Sequence, residues 1–131
     1  MAGYLDESKL QALEDAVAQA EALGRPLLMA IHHPSLPMGS KWLNEIGVKN
    51  AAETLEALTV LEERAVVVSG HVRQDSAQVQ QGLQCLTSPS TCGQTAPMSV
   101  EFQLDALAPG SRELALYADG PWETAVRRMT D

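Results

Sequence analysis

The sequence predicts an α/β fold in which a βαβ unit is followed by an antiparallel β segment. Two short runs, 27–31 and 65–68, are apolar without interruption. Segments with helical spacing of apolar residues precede the first run and separate it from the second, and short alternating runs lie toward the C-terminus. With 131 residues, 45% of them hydrophobic, the chain can bury a core. We expect one domain over 1–131, with a βαβ part at 6–73 and a mostly β part at 82–131.

The first predicted helix begins after Asp6 and ends near Leu23. Aspartate is a favourable N-cap, because its carboxylate accepts hydrogen bonds from free amides of the first turn. Apolar residues follow at helical spacing, at Leu10, Leu13, Val17 and Ala20. Gly24 suits the left-handed position that ends many helices, and Pro26 prevents continuation. This segment therefore predicts a helix that buries one stripe.

The run 27–31 is apolar on both faces, which is typical of a central parallel strand. The stretch 32–49 contains several prolines and glycines and is predicted to be a loop. Asn50 is expected to cap a second helix. The apolar stripe of that helix would contain Leu55, Leu58 and Leu61. The run 65–69 is the second buried strand, so the order strand, helix, strand predicts a parallel pair.

All three histidines of the chain directly follow these two strands. His32 and His33 come after the first strand, and His71 follows the second across one glycine. The carboxyl ends of parallel strands lie at the same edge of a sheet, where ligands bind. Neighbouring strands are about 4.8 Å apart, so His32 and His71 would lie within reach of one ion. The sequence therefore predicts that two distant histidines converge into a metal site at this edge.

The C-terminal part of the chain has the pattern of half-buried antiparallel strands. Short β-like runs cover 82–88, 100–104, 112–117 and 124–129, with turns rich in Gly, Pro and Asp between them. Apolar and polar residues alternate in the second and third runs, as expected for strands with one face in the core.

Charge and composition exclude several classes of protein. A net charge of −8 without a Lys/Arg patch disfavours nucleic acid as a partner. No apolar run approaches the ~20 residues needed to cross a membrane. The acidic N-terminus is not a signal peptide, so we expect a cytoplasmic protein. The two cysteines, Cys85 and Cys92, are most simply free thiols in that compartment.

Several motifs, in order and with matching spacing, resemble one known family. The strongest are His-His-Pro-Ser-Leu-Pro-Met-Gly at 32–39 and Ser-Gly-His-Val-Arg-Gln at 69–74. Further matching segments lie at 41–43, 47–51, 89–92, 107–110 and 118–120. Together they resemble the C-terminal half of the bacterial class III 3′,5′-cyclic-AMP phosphodiesterases, members of the calcineurin-like metallophosphoesterase superfamily.

The resemblance implies a four-layer α/β/β/α sandwich with a two-metal centre of Fe, Mn or Zn at the strand ends. It assigns His32 and His71 to the same metal, while His33 is expected to support the ligands without binding the ion. Without the resemblance, His32 and His71 would each more simply cap a strand end through a backbone hydrogen bond. Arg73 stands where the family has a histidine ligand of the other metal. A guanidinium cannot replace an imidazole as a ligand, so Arg73 either faces a phosphate or points to solvent.

The resemblance also suggests residues near a substrate pocket. Met38 and Trp42 match a loop over the nucleotide, and Ser90, Thr91 and Cys92 match a segment beside it. Packing residues and a rigid proline turn are the simpler alternatives. Cys92 is not expected to be a nucleophile, because no base or positive charge nearby in sequence would form its thiolate.

The function implied is that of a truncated or split cyclic-nucleotide phosphodiesterase, expected to be inactive as an isolated chain. The Asp-x-His, Gly-Asp and Gly-Asn-His motifs of the family's N-terminal half are absent from the sequence. A partner with that half, or a second copy of this chain, would then complete the centre for a cyclic nucleotide or another phosphodiester. The alternative is a non-catalytic nucleotide-binding or interaction module. An apolar sheet edge left open would favour a homo-oligomer.

Overall fold

The computed structural model describes residues 4–33, 50–80, 83–95, 104–119 and 121–129. Within these ranges the chain forms two α-helices, a 3₁₀ segment and eight strands. The helices are α1 (Glu7–Leu23) and α2 (Ala51–Leu58), and the 3₁₀ segment Thr59–Arg64 continues α2. The strands are β1 (Leu27–Ile31), β2 (Ala65–Ser69), β3 (Ser76–Gln80), β4 (Leu83–Thr87), β5 (Gln94–Thr95), β6 (Leu104–Asp105), β7 (Gly110–Leu116) and β8 (Trp122–Arg128).

Helix α1 begins and ends where its sequence predicts. The carboxylate of Asp6 accepts a hydrogen bond from the Lys9 amide, and Gly24 adopts a left-handed φ of 63°. The Gly24 amide donates to the carbonyls of Ala20 and Glu21 and closes the last turn. Neither helix in the described ranges is long and apolar enough to cross a membrane.

The main sheet has four strands in the order β1-β2-β4-β3. Strands β1 and β2 are parallel, with Leu27 opposite Ala65 and Ile31 opposite Ser69. This confirms that the two apolar runs are neighbouring parallel strands separated in sequence by a helix. One face of the sheet packs against α1 and α2, and the core between them includes Val17, Leu58, Val67 and Leu83.

Three details of this sheet differ from the sequence prediction. Strand β4, expected in the antiparallel segment, pairs antiparallel with β3 on one side but in parallel with β2 on the other. Strand β3 was not predicted, because Ser76–Gln80 is mostly polar and its backbone pairing with β4 leaves little trace in sequence. Strand β1 was expected to be central, yet in the described sheet it is an edge strand with half-buried side chains and an exposed Ala30.

Asn50 precedes α2 as predicted, but its side chain does not cap the helix. Instead, Oδ1 of the Asn50 side chain accepts a hydrogen bond from the Leu5 backbone amide at 3.0 Å, and its Nδ2 donates to the Leu5 carbonyl at 2.8 Å. A carboxamide has both a donor and an acceptor, so it can satisfy both backbone groups of one residue. This pair attaches the segment before α1 to the start of α2.

Strands β7 and β8 form the predicted antiparallel hairpin, in which Gly110 pairs with Arg128 and Leu116 with Trp122. Arg112 attaches it to the main sheet, since its guanidinium donates to the carbonyls of Thr87 and Ser76. Strands β5 and β6 form a separate short antiparallel pair. The predicted strand 100–104 lies outside the described residues except for its last position, which opens β6.

Candidate metal site

The ends of two parallel strands position the histidines. Ile31 and Ser69 form the last pair between β1 and β2. One residue further, the Gly70 amide donates to the His32 carbonyl at 3.1 Å. This bond extends the pairing past the strands and fixes the backbone of His32 relative to that of His71.

His71 lies in a tight turn with a strained backbone. The Val72 amide donates to the Gly70 carbonyl at 2.6 Å, so the turn closes around His71 alone. His71 has a φ of 63° and Arg73 a φ of 56°, values that residues with a side chain rarely adopt. Such conformations persist only when the surrounding structure enforces them, and they concentrate at functional sites.

Thr95 enforces this turn from a distant part of the chain. Its hydroxyl donates to the Val72 carbonyl and accepts from the Gln74 side chain, and its amide donates to the Arg73 carbonyl at 3.1 Å. Thr95, Val72 and Gln74 are all buried. Sequence reasoning missed Thr95, because it is more than 20 residues from the turn and no local pattern marks it.

The structure brings the three histidines together. Nε2 of His32 and Nδ1 of His71 are 2.9 Å apart. The ring centroid of His33 lies 5.0 Å from that of His32 and 4.7 Å from that of His71. One nitrogen from each ring can be chosen so that all three lie within 4.8 Å of one another. His33, which was expected to support the ligands without binding the ion, therefore lies in the same cluster as His32 and His71.

The close pair suits either a hydrogen bond or a shared ion. A hydrogen bond requires one ring to donate its N–H to the lone pair of the other. Two imidazoles bound to one tetrahedral ion at ~2.0–2.1 Å would have nitrogens ~3.3 Å apart, a few tenths of an ångström more than the separation seen here. Burial lowers the pKa of the His71 imidazole, and the charges of His32 and His33 lower it further. The neutral ring favoured in this way is the form that binds metals.

The donors present fit a divalent ion of the zinc type. In the part of the chain that the structure describes, the cluster consists of three imidazoles and includes no carboxylate or thiol. Imidazole suits Zn²⁺, Ni²⁺, Cu²⁺ and Fe²⁺, whereas Mg²⁺ and Ca²⁺ prefer oxygen ligands.

A groove of about 640 Å³ opens beside the cluster. It runs between α1 and β1, and its lining includes Tyr4, Leu13, Ile31, His32 and His33. The side chain of His32 is exposed, so a molecule entering this groove would meet the histidines directly.

Arg73 is exposed and lies close enough to His71 for its charge to contribute to the lowered pKa of that imidazole. Its guanidinium therefore adds positive charge at the edge where the histidines meet.

The segment 90–92 leaves the same sheet edge, since β4 ends at Thr87 and the Ser88 amide donates to the Ser69 carbonyl. Gln94 then holds this segment, because its side chain accepts a hydrogen bond from the Ser90 amide and donates to the carbonyls of Ser90 and Cys92.

The predicted pocket residues of this segment do not line the histidine groove. Thr91 lines a small cavity beside the β7–β8 hairpin. Cys92 is exposed. Met38 and Trp42 lie outside the described residues.

Comparison with known proteins identifies relatives over nearly the whole chain. The chain is 39% identical over 129 residues to the 3′,5′-cyclic adenosine monophosphate phosphodiesterase CpdA of Pseudomonas aeruginosa, covering 98% of this chain and 47% of that protein. It is 37% identical to CpdA of Escherichia coli, with coverage of 98% and 46%. A 3′,5′-cyclic-nucleotide phosphodiesterase of Nostoc is 32% identical, with coverage of 97% and 47%. No model of a known protein family matches the chain.

The fold is similar to that of a solved metalloenzyme. A dimetal phosphatase from Danio rerio superposes with a TM-score of 0.59 at 18% identity, covering 92% of this chain and 38% of that one. At this identity the likeness concerns the fold alone. The chain spans about half the length of the curated relatives that it matches. The resemblance carried by the motifs around His32 and His71 is thus confirmed: the chain is a homologue of the bacterial cyclic-AMP phosphodiesterases.

Proposed function

We propose that this chain carries the imidazole part of the metal centre of a cyclic-nucleotide phosphodiesterase, binds a divalent ion there, and does not hydrolyse phosphodiesters by itself. One observation carries the proposal. His32 and His71, 39 residues apart in sequence, meet at 2.9 Å at the ends of parallel strands, in a chain homologous to such enzymes.

The isolated chain is expected to be inactive because phosphodiester hydrolysis at such a centre needs two metal ions. A two-metal site supplies Lewis acidity and an activated water for attack on phosphorus, with the ions ~4 Å apart. Two close dications need bridging and terminal carboxylates in addition to imidazoles. In the described residues the cluster offers imidazoles alone, and Arg73, at the position of a further ligand, cannot bind a metal. His32 and His71 can therefore bind and orient one ion but cannot fix a pair.

The ion would be Fe, Mn or Zn, and the substrate of the completed centre a cyclic nucleotide or another phosphodiester. The relatives named as cyclic-AMP phosphodiesterases support this substrate class. We also propose that the four-stranded sheet belongs to one half of a four-layer α/β/β/α sandwich. The superposition on the dimetal phosphatase, which covers 38% of that chain, supports the assignment.

Equilibrium dialysis with Zn²⁺ or Mn²⁺, combined with hydrolysis of cyclic AMP and bis(p-nitrophenyl) phosphate, tests the proposal. We expect stoichiometric Zn²⁺ binding that His71→Ala removes, and no hydrolysis above that of the free ions. Absence of binding by the wild-type chain would overturn the metal site. Hydrolysis that His71→Ala abolishes would overturn the claim that the chain is inactive alone.

Arg73 favours a second candidate, a nucleotide-binding module without catalysis. Its guanidinium is exposed beside the histidines and could pair with a phosphate without any metal. Calorimetric titration with cyclic AMP in the presence of a chelator separates the two candidates. Binding that Arg73→Ala abolishes would favour the module, and no heat of binding would leave the metal site as the better explanation.

The partner we propose is a second copy of this chain. In the described sheet, β1 pairs on one side with β2 and leaves its other edge open. Unpaired amides and carbonyls along an apolar strand invite pairing with another strand. A symmetric contact between two β1 edges would continue the sheet across both copies.

A further inference from the structure

His33 stands beside the two predicted ligands because the chain bends directly after β1. Within a strand, consecutive side chains point to opposite faces. Strand β1 ends at Ile31, however, and His32 and His33 lie in a bend. Their rings consequently meet on one side, edge to face, with an interplanar angle of 89°. The end of the strand thus delivers two adjacent imidazoles to one place.

The three rings are arranged around a common centre. The centroid distances are 5.0, 4.7 and 4.7 Å, and the interplanar angles are 89°, 63° and 48°. No two of these rings are parallel, so the cluster is not a stack. Rings bound to one ion are mutually inclined in the same way, because each plane must contain its own nitrogen–metal direction. The three nitrogens lie at most 4.8 Å apart, and binding one tetrahedral ion requires separations of ~3.3 Å, so a small change in ring positions is sufficient.

Three imidazoles are a complete protein ligand set for one ion. Zinc sites with three histidines leave the fourth position to water or substrate. Here His32 is exposed and the groove along α1 lies beside it, so a fourth position would be accessible. His33 and His71 are half-buried, which holds two of the three rings in place.

We propose that His32, His33 and His71 together form a site for a single Zn²⁺-type ion, with His33 as the third ligand. The inference rests on the proposed function, since it requires that His32 and His71 bind an ion. It differs by placing His33 on the metal and by making the isolated chain sufficient for a mononuclear site. The assignment requires no carboxylate and no second chain.

Zn²⁺ titration by calorimetry tests the assignment. The parent protein carries Cys92→Ser, because the exposed thiol of Cys92 is a competing ligand. We expect one ion per chain, and a loss of Zn²⁺ affinity of at least ~100-fold in each of His32→Ala, His33→Ala and His71→Ala. Replacing a residue that only supports a ligand typically lowers metal affinity by ~10–100-fold, so a larger loss indicates a ligand. His33→Gln, which restores hydrogen bonding but provides no imidazole, should not recover the affinity.

The imidazole nitrogens of the unmutated chain give a readout that does not depend on variants or on activity. Two-bond ¹H–¹⁵N spectra distinguish a metal-bound nitrogen from a protonated or free one. We expect one nitrogen in each of three rings to move to the bound position on addition of Zn²⁺. A third ring that stays unbound would overturn the role of His33, even if His33→Ala weakened binding or failed to fold.

The outcomes separate this inference from the function on which it rests. Binding that survives His33→Ala but is lost in His32→Ala and His71→Ala would keep the proposed function and overturn the third ligand. Binding insensitive to all three substitutions, or no binding, would overturn both. Loss in all three variants together with three bound rings would support both.

Discussion

At the scale of single residues, the turn that holds His71 is the least tolerant part of the site. His71 and Arg73 both have positive φ, and neither is a glycine. The Thr95 hydroxyl joins the Val72 carbonyl to the Gln74 side chain in a buried place. When a buried polar group loses its hydrogen-bond partner, the free energy of unfolding falls far more than when an exposed group does. We therefore assign Thr95 as a positioning residue for His71.

Replacing Thr95 with valine should destabilise the fold and weaken ion binding together. Valine has nearly the same shape but leaves the Val72 carbonyl and the Gln74 amide without this partner. We expect the free energy of unfolding to fall by about 1–3 kcal/mol and Zn²⁺ affinity to fall by roughly 10–100-fold with unchanged stoichiometry. Urea unfolding and calorimetric titration measure the two effects.

Thr95→Ser is the matched control, because it keeps the hydroxyl and loses a methyl group. It should retain most of the Zn²⁺ affinity even where packing loss lowers stability. Equal loss of affinity in the serine and valine variants would show that the hydroxyl does not position His71.

At the scale of elements, what the sequence could predict depended on whether side chains or backbone decide the structure. Helix α1 and strands β1 and β2 are decided by apolar spacing and by residues at their ends, and all three lie where predicted. Strand β3 is decided by backbone pairing with β4, which a Ser- and Gln-rich run does not reveal. The convergence of His32 and His71 followed from topology, whereas Thr95 required a contact between distant segments.

The N-cap of α1 makes a testable contribution to the pH dependence of stability. The hydrogen bond from the Lys9 amide, and then that from the Ser8 hydroxyl, lowers the pKa of Asp6 below its ordinary value of 3.8. A carboxylate whose pKa is lower in the folded state stabilises the fold above the ordinary value, and this contribution is lost as the pH falls through the lowered pKa. Acid should therefore weaken this helix end.

Substitutions at Asp6 isolate that effect. At neutral pH we expect the melting temperature to fall in Asp6→Ala and to change little in Asp6→Asn, because asparagine caps helices about as well. As the pH falls through the lowered pKa of Asp6, wild type should become less stable than Asp6→Asn, since only the aspartate is then protonated. Thermal melts followed by circular dichroism from pH 7 to 3 measure this. A difference that does not vary with pH would contradict the assigned cap.

At the scale of the whole molecule, the edge of β1 that is unpaired in the described sheet and the net charge are expected to have opposite effects on association. Backbone pairing along β1 favours contact between copies. A net charge of −8 on each copy produces repulsion, which salt screens over a Debye length of ~8 Å at physiological ionic strength. If a second copy covers β1, association should therefore strengthen as salt is added, the reverse of what an interface held by ion pairs would show.

Sedimentation velocity at increasing protein and salt concentration tests this pairing, and a lysine at Ala30 should weaken it. Ala30 is exposed on β1, and lysines on edge strands block pairing between sheets. Ala18→Lys, at an exposed position of α1, makes the same change in net charge away from the edge. Both substitutions reduce the repulsion, so weaker association in Ala30→Lys alone would be due to the edge. A monomer under all conditions, or equal effects of the two lysines, would show that β1 does not pair between copies.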